Sequence, residues 1–298
     1  MSDATPSEEG RAARPGQEAR MTPYELAFGE AGYEMTTFPA ILAEAEEQGV
    51  DPSDSDRFSF LTVGAEAIRD VVPTDASPDA LEHYRTLLYQ AFNFWRFGRR
   101  FYVLEPPVVR YLVEAAPELA GWELTLPQRS VYVQLPANLF WASVDPQAAP
   151  EPVDGFFVSC SEQRDPRGEP YEILDVLMVL GIRRDRAGFS MASFSSEVGK
   201  GIAAVWAETP GRDVGRDFEN VLPGGEISGL YSILTVSEAL KLIARALWYV
   251  DRHPGQVVAH AAAERRAHDR PGALPFSRLP YHRVALDGED GDGAAPGA

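Results

Sequence analysis

The stretch from Ser77 to Leu104, SPDALEHYRTLLYQAFNFWRFGRRFYVL, decides how the fold is read, because it lays out one long helix with two unlike sides. At about 100° per residue, Tyr84, Leu87, Leu88, Ala91, Phe94, Trp95, Gly98 and Tyr102 fall on one side as a core-facing stripe. The other side collects Arg85, Tyr89, Phe92, Arg96, Arg99 and Arg100. Arginine interleaved with aromatics is a composition that recognises partners, and Arg forks suit carboxylates, phosphates and peptide carbonyls. Outward charge alone is ordinary. Tyr89 and Phe92 are the anomaly, since large aromatics are disfavoured at a surface unless something covers them. The cover is either another part of the chain, such as the segment 58–72, or a partner.

Ser77 can cap this helix and Pro78 suits its first turn. Glu105-Pro106-Pro107 is expected to end it, by removing amide donors and restricting the preceding residue. Upstream, Pro39 to Gln48 reads as a helix capped by Thr36 or Thr37, with Gly49 as a left-handed stop. An apolar segment, Phe58 to Val72, follows it, and a shorter helix is expected from Val108 to Ala116.

Beyond Pro117 the period changes. SVYVQLP (130–136), VDGFFVSC (153–160), YEILDVLMVLGI (171–182) and GFSMASFS (188–195) are β-branched and aromatic-rich, and Leu139 to Val144 can add another strand. Short turn-rich connections between them suit antiparallel neighbours and predict a meander. Thr235-Val236-Ser237-Glu238 then has the form of a capping box. Val236, Ala239, Leu240, Ile243, Ala246, Leu247 and Val250 recur at helical spacing up to His253-Pro254-Gly255.

The expectation is therefore an α+β domain over 21–284: a helical section (21–116), a mainly β section (117–230) and a helical section (231–270) whose long helix packs on the sheet. Residues 1–20 and 285–298, rich in Pro, Gly, Ser, Ala and acids, are expected to be disordered tails.

A chain of 298 residues with net charge −18 is ill suited to a non-specific grip on nucleic acid, yet leaves room for basic or peptide partners. The N-terminus has no apolar signal-peptide core, and no window reaches the ~18–20 apolar residues of a membrane span, so a soluble, cytoplasmic protein is expected. The single cysteine, Cys160, forbids an internal disulfide and reads as a small buried hydrophobe.

No phosphate-binding loop, dinucleotide fingerprint, nucleophile elbow or zinc-binding helix occurs, and no cofactor is indicated. His260 and His268 lack a third ligand and tight geometry, so no metal site is expected, and HAAAERRAHDR (260–270) reads as a solvated helix end. Asp175 interrupts an apolar run. It marks either the solvent face of a half-buried strand or a buried carboxylate with a shifted pKa, the alternative polar site.

Several of these pieces, in their order, resemble the anti-CRISPR family that inhibits type V-A systems, in its second described type with its bacterial homologues. They are Trp95-Arg96 followed by Tyr102 and Leu104, Leu126-Pro127 leading into Val131-Tyr132-Val133, Gly155-Phe156, Leu174-Asp175, and the apolar helix from Ala239 to Trp248. Together they span roughly Leu81 to Val250. The resemblance implies a non-enzymatic binding protein that acts on production of the CRISPR nuclease by recognising the effector's nascent N-terminal segment. Its partners would be a protein or nascent peptide, with RNA or the ribosome close by. This chain departs from the family in ending acidic rather than basic and in carrying its own N-terminal extension, which leaves room for another client. A second class of function is an enzyme, hydrolase-like, using Asp175 or a histidine of the 249–269 region without a recognisable motif.

Overall fold

The computed structural model describes residues 18–29, 32–114, 126, 128–143, 149–165, 167–183, 188–197, 232–233, 236–262 and 274–286. They form an α+β structure in which helices cover both faces of one mixed sheet. The N-terminal helices are α1 (Pro23–Phe28), α2 (Phe38–Gln48), α3 (Ser55–Phe58), α4 (Thr62–Val71) and α5 (Pro78–Arg96). Strand β1 (Arg100–Leu104) and helix α6 (Pro106–Glu114) follow. The remaining strands are β2 (Ser130–Gln134), β3 (Phe140–Ala142), β4 (Glu151–Arg164), β5 (Pro170–Leu180), β6 (Ser190–Glu197), β7 (Ser232–Ile233), β8 (Val257–His260) and β9 (Tyr281–Val284). Helix α7 (Val236–Arg252) precedes β8.

The decisive stretch is a helix and then a strand, not one helix. The chain leaves the helix at Gly98 (φ 88°) and Arg99 (φ 56°), both left-handed, and RFYVL continues as β1. Two consecutive left-handed residues cannot continue a right-handed helix, and the first is a glycine, which adopts that region without strain. Ser77 caps α5 as expected, accepting a hydrogen bond from the Ala80 amide.

Upstream, Thr37 makes no capping hydrogen bond, because the chain is already helical there in a π-turn over Tyr33–Thr37. The Thr36 hydroxyl instead donates back to the Gly32 carbonyl. Gly49 does close α2 in the left-handed region. The 58–72 segment is split between α3, capped by Asp54, and α4, whose first amides, Thr62 and Val63, donate to the Glu44 carboxylate at 2.8 and 2.9 Å.

The sheet runs β6-β5-β4-β2-β1-β9-β8, with β3 and β7 branching from β4. Strands β2, β4, β5 and β6 pair antiparallel, as the meander predicts. Strand β1 does not, since it runs parallel to both β2 and β9. A parallel pair needs a crossover connection, and α6 lies in the one between β1 and β2. The segment Val257–His260, expected within or beside a charged helix end, is an edge strand paired with β9; residues 263–270 lie outside the described residues, as do Thr235 and most of both expected tails. Ala19 and Arg20, placed by sequence in the N-terminal tail, are packed: Ala19 is buried and Arg20 binds Gln134 and Asp154.

Strand alternation sorts the core into two halves. Tyr102, Val131, Val133, Phe156, Val158, Val176 and Met178 face α6 and α7. Phe101, Val103, Tyr132, Phe157, Leu177, Val179 and Met191 face α1, α2, α4 and α5. Strands covered on both sides need apolar residues at nearly every position, which is why these segments read as continuous apolar runs. Gly155 allows β2 and β4 to close up: a Cβ there would stand 2.3 Å from the Val133 carbonyl oxygen.

Candidate functional site

Helix α5 lies between the sheet and the N-terminal helices, so both of its sides are covered. From Leu87 to Phe94 every residue is buried. A helix that is apolar all round belongs inside a protein. The two aromatics on the supposed docking side are covered by the chain itself. Phe92 is fully buried against Phe38, Phe58 and Trp95, with ring centroids 6.1, 5.4 and 5.9 Å away. Tyr89 packs edge-on against Phe58 at 5.3 Å, and its hydroxyl donates to the Ser53 carbonyl at 2.7 Å.

The arginines of that side disperse. Arg96 reaches the Ser53 hydroxyl at 3.0 Å and Asp51 at 3.5 Å, while Arg99 makes a two-pronged contact with Glu34 at 2.8 and 3.0 Å. Arg100 belongs to β1 and contacts the His282 ring. Only Arg85, exposed and paired with Glu82, and Tyr89 stay together, and both line one cleft. Asp175 lines the same cleft. Two candidate sites that were separate in the sequence thus meet in space.

The cleft has a volume of about 700 Å³ and opens between α3–α4 on one wall and the first half of α5 on the other, over β5 and β6. Its walls are Phe58, Phe60, Leu61, Ile68 and Leu88, and its floor carries Gln90, Asp175, Ser193 and Ser195. Phe60 is 78% exposed, the most exposed large hydrophobic among the described residues. Floor polarity follows from sheet register. Ser130 opposes Ser159, Ser159 opposes Asp175, and Asp175 opposes Ser195, so a polar row crosses four strands on the face beneath α5. Buried Gln90 anchors its inner end, donating to the Asp175 carbonyl at 3.3 Å and accepting from the Ser159 hydroxyl at 2.6 Å.

Asp175 is the electrostatic centre of this floor. Burial pushes its carboxyl up from the ordinary 3.8 to about 6, and the negative charges of Asp56 and Asp54 add to the rise. The hydroxyls of Tyr89 and Ser161 approach Oδ2 only at 3.4 and 3.5 Å, and the Tyr89 proton is committed to the shorter bond with Ser53. Among the described residues no cation lies within ion-pair distance of Asp175.

A carboxyl whose folded pKa lies above its unfolded value adds stability when protonated and loses it as pH rises through about 6. Asp175→Asn is therefore expected to stabilise the protein by about 1–2 kcal/mol at pH 8, after allowing for solvent at its partly open side, and by almost nothing near pH 4. Denaturant titrations at the two pH values check this.

The other polar groups considered from sequence lie elsewhere. His253 stacks on Tyr249 at 4.2 Å, and His260 stacks on Tyr281 at 5.1 Å in β8, at the opposite edge of the sheet from β5 and β6. Among the described residues no histidine lines the cleft. Among the described residues no group of three or more His, Cys, Asp and Glu is placed to hold a metal ion, and no helix is long and apolar enough to cross a membrane. Burial pushes the Cys160 thiol up to about 11, away from thiolate chemistry at neutral pH.

Phe60, Gln90 and the serines of β4 and β6 did not stand out in the sequence. The usable signal was the uncharged run LLYQAFNF (87–94), which marks a helix buried on every side and so points away from its own surface as a docking face. Comparison with known protein families and with curated proteins returned no match.

Proposed function

We propose that the protein is a non-enzymatic peptide-binding protein and that the cleft over Asp175 is its binding surface. The observation that carries this reading is a cleft joining an exposed aromatic at its mouth, Phe60, to a floor carboxylate, Asp175, that has no ion-pair partner among the described residues. Apolar walls with a few converging polar groups are the composition of a ligand site. An exposed phenylalanine costs solubility and is accounted for when a partner covers it. The arginine-aromatic side of α5 contributes to this surface only through Arg85 and Tyr89. A peptide is also the partner that the resemblance to the type V-A anti-CRISPR family implies, and in this proposal the client is a nascent or extended segment of a protein whose production is restrained.

Selection from displayed random decapeptides should return binders. Their affinity is expected to fall about tenfold or more in Phe60→Asp and in Ala65→Trp, an exposed position where the added ring narrows the mouth. Arg96→Ala, outside the cleft, should leave affinity unchanged. Binders indifferent to the two cleft variants would place the surface elsewhere.

A further inference from the structure

The charges around the cleft narrow the ligand beyond a peptide of any sequence. Among the described residues its lining contains Asp56, Glu82 and Asp175 against one cation, Arg85, and that cation is already held by Glu82. Asp54, the cap of α3, adds a fourth negative charge close enough to act on Asp175. The entire chain carries net charge −18, so no long-range positive field offsets this local one. Between mouth and floor stand Phe58 and Phe60, with the Tyr89 ring beside Asp175. A ligand group matching this sequence of surfaces has an apolar stem and a cationic end.

We propose, building on the peptide-binding reading, that the cleft takes the side chain of a lysine or arginine in a basic peptide, with Asp175 as its counter-ion. The aliphatic stem would lie against Phe58 and Phe60, as long basic side chains do along apolar surface, and the aromatic faces attract the cation directly. The head would donate to Asp175 and to the hydroxyls of Ser193 and Ser195 on the same floor. This also accounts for a carboxylate without an ion-pair partner among the described residues being kept on the floor at a cost in stability: the bound ligand compensates its charge.

Titratable and charged groups facing Asp175 are Asp54 and Asp56 from α3, and Glu82, Arg85 and Tyr89 from α5. The neighbouring positions on β4 and β6 carry Ser159 and Ser161 from one strand and Ser193 and Ser195 from the other. Affinity should therefore rise with pH as Asp175 ionises.

The test uses the full chain and four dye-labelled hexapeptide pools, acetylated and amidated, with lysine, arginine, norleucine or glutamate fixed at a central position. Fluorescence anisotropy should show the lysine and arginine pools binding about tenfold or more tighter than the norleucine pool, and the glutamate pool weakest. That preference should vanish in Asp175→Asn, a variant expected to fold at least as well as the wild type, and persist in Arg96→Ala. Equal binding of the norleucine and lysine pools, or a basic preference undiminished in Asp175→Asn, overturns the proposal while leaving peptide binding in place. Binding of no pool overturns both.

Discussion

Phe92→Ala is expected to destabilise the protein by about 3–5 kcal/mol, the usual cost of truncating a fully buried phenylalanine. On a docking face the same change would spare the fold and cost only affinity. The difference rests on what surrounds the ring: Phe38 from α2, Phe58 from α3 and Trp95 from α5 itself all meet it, at zero exposure. Truncation therefore opens a hole where three elements join. The denaturation midpoint, measured with the slope that reports exposed surface, checks this. A shift below 1 kcal/mol would mean that the ring is not enclosed.

A loss of similar size, about 3–5 kcal/mol, is expected from Asp154→Ala, for a different reason. Asp154 is 6% exposed and gathers three side chains, one from the N-terminal segment and two from β2. Arg20 binds Oδ1 through both Nε and Nη2, at 3.1 and 2.8 Å, and Oδ2 accepts from the Tyr132 hydroxyl and from Gln134 Nε2 at 3.1 Å. Arg20 also holds the Leu135 carbonyl at 2.8 Å. Removing the carboxylate leaves a part-buried guanidinium and a buried phenol without their acceptor, which costs more than the pair itself contributes. Arg20→Ala combined with Asp154→Ala should consequently lose clearly less than the sum of the single losses. Strict additivity would show that the two side chains do not meet. Arg20 thus ties the N-terminal segment to β2 and β4, although composition placed it in a tail.

How far the fold could be read depended on whether the signal was local. The α5 cap at Ser77, the Gly49 stop and the β4–β5–β6 meander were legible because turn and cap chemistry act over a few residues. Strand β1 was hidden because its Tyr102 fits a helical stripe as well as a pleat, and only the left-handed pair Gly98–Arg99 separates the readings. Its parallel partners lie far along the chain, at β2 and β9, where periodicity carries no information.

The site was legible in pieces. Arg85, Tyr89 and Asp175 each stood out, but they were assigned to different sites, because their meeting depends on the sheet register and on where α3 and α4 fold over α5. Register also creates the polar row Ser130–Ser159–Asp175–Ser195, and no single strand shows it. Phe92, Arg96, Arg99 and Arg100 were grouped by helical projection onto a surface that the N-terminal helices fill or that, beyond residue 96, is no longer helix.

The most direct measurement of the binding claim is the titration of the Asp175 side-chain carbon by NMR, alone and with a saturating lysine-centred hexapeptide. Alone, the midpoint should stand near 6, well above an ordinary aspartate. With the peptide bound, a cation beside the carboxylate should bring the midpoint down by about one unit or more. A midpoint unmoved by saturating peptide would contradict the assignment of Asp175 as the counter-ion of the cleft.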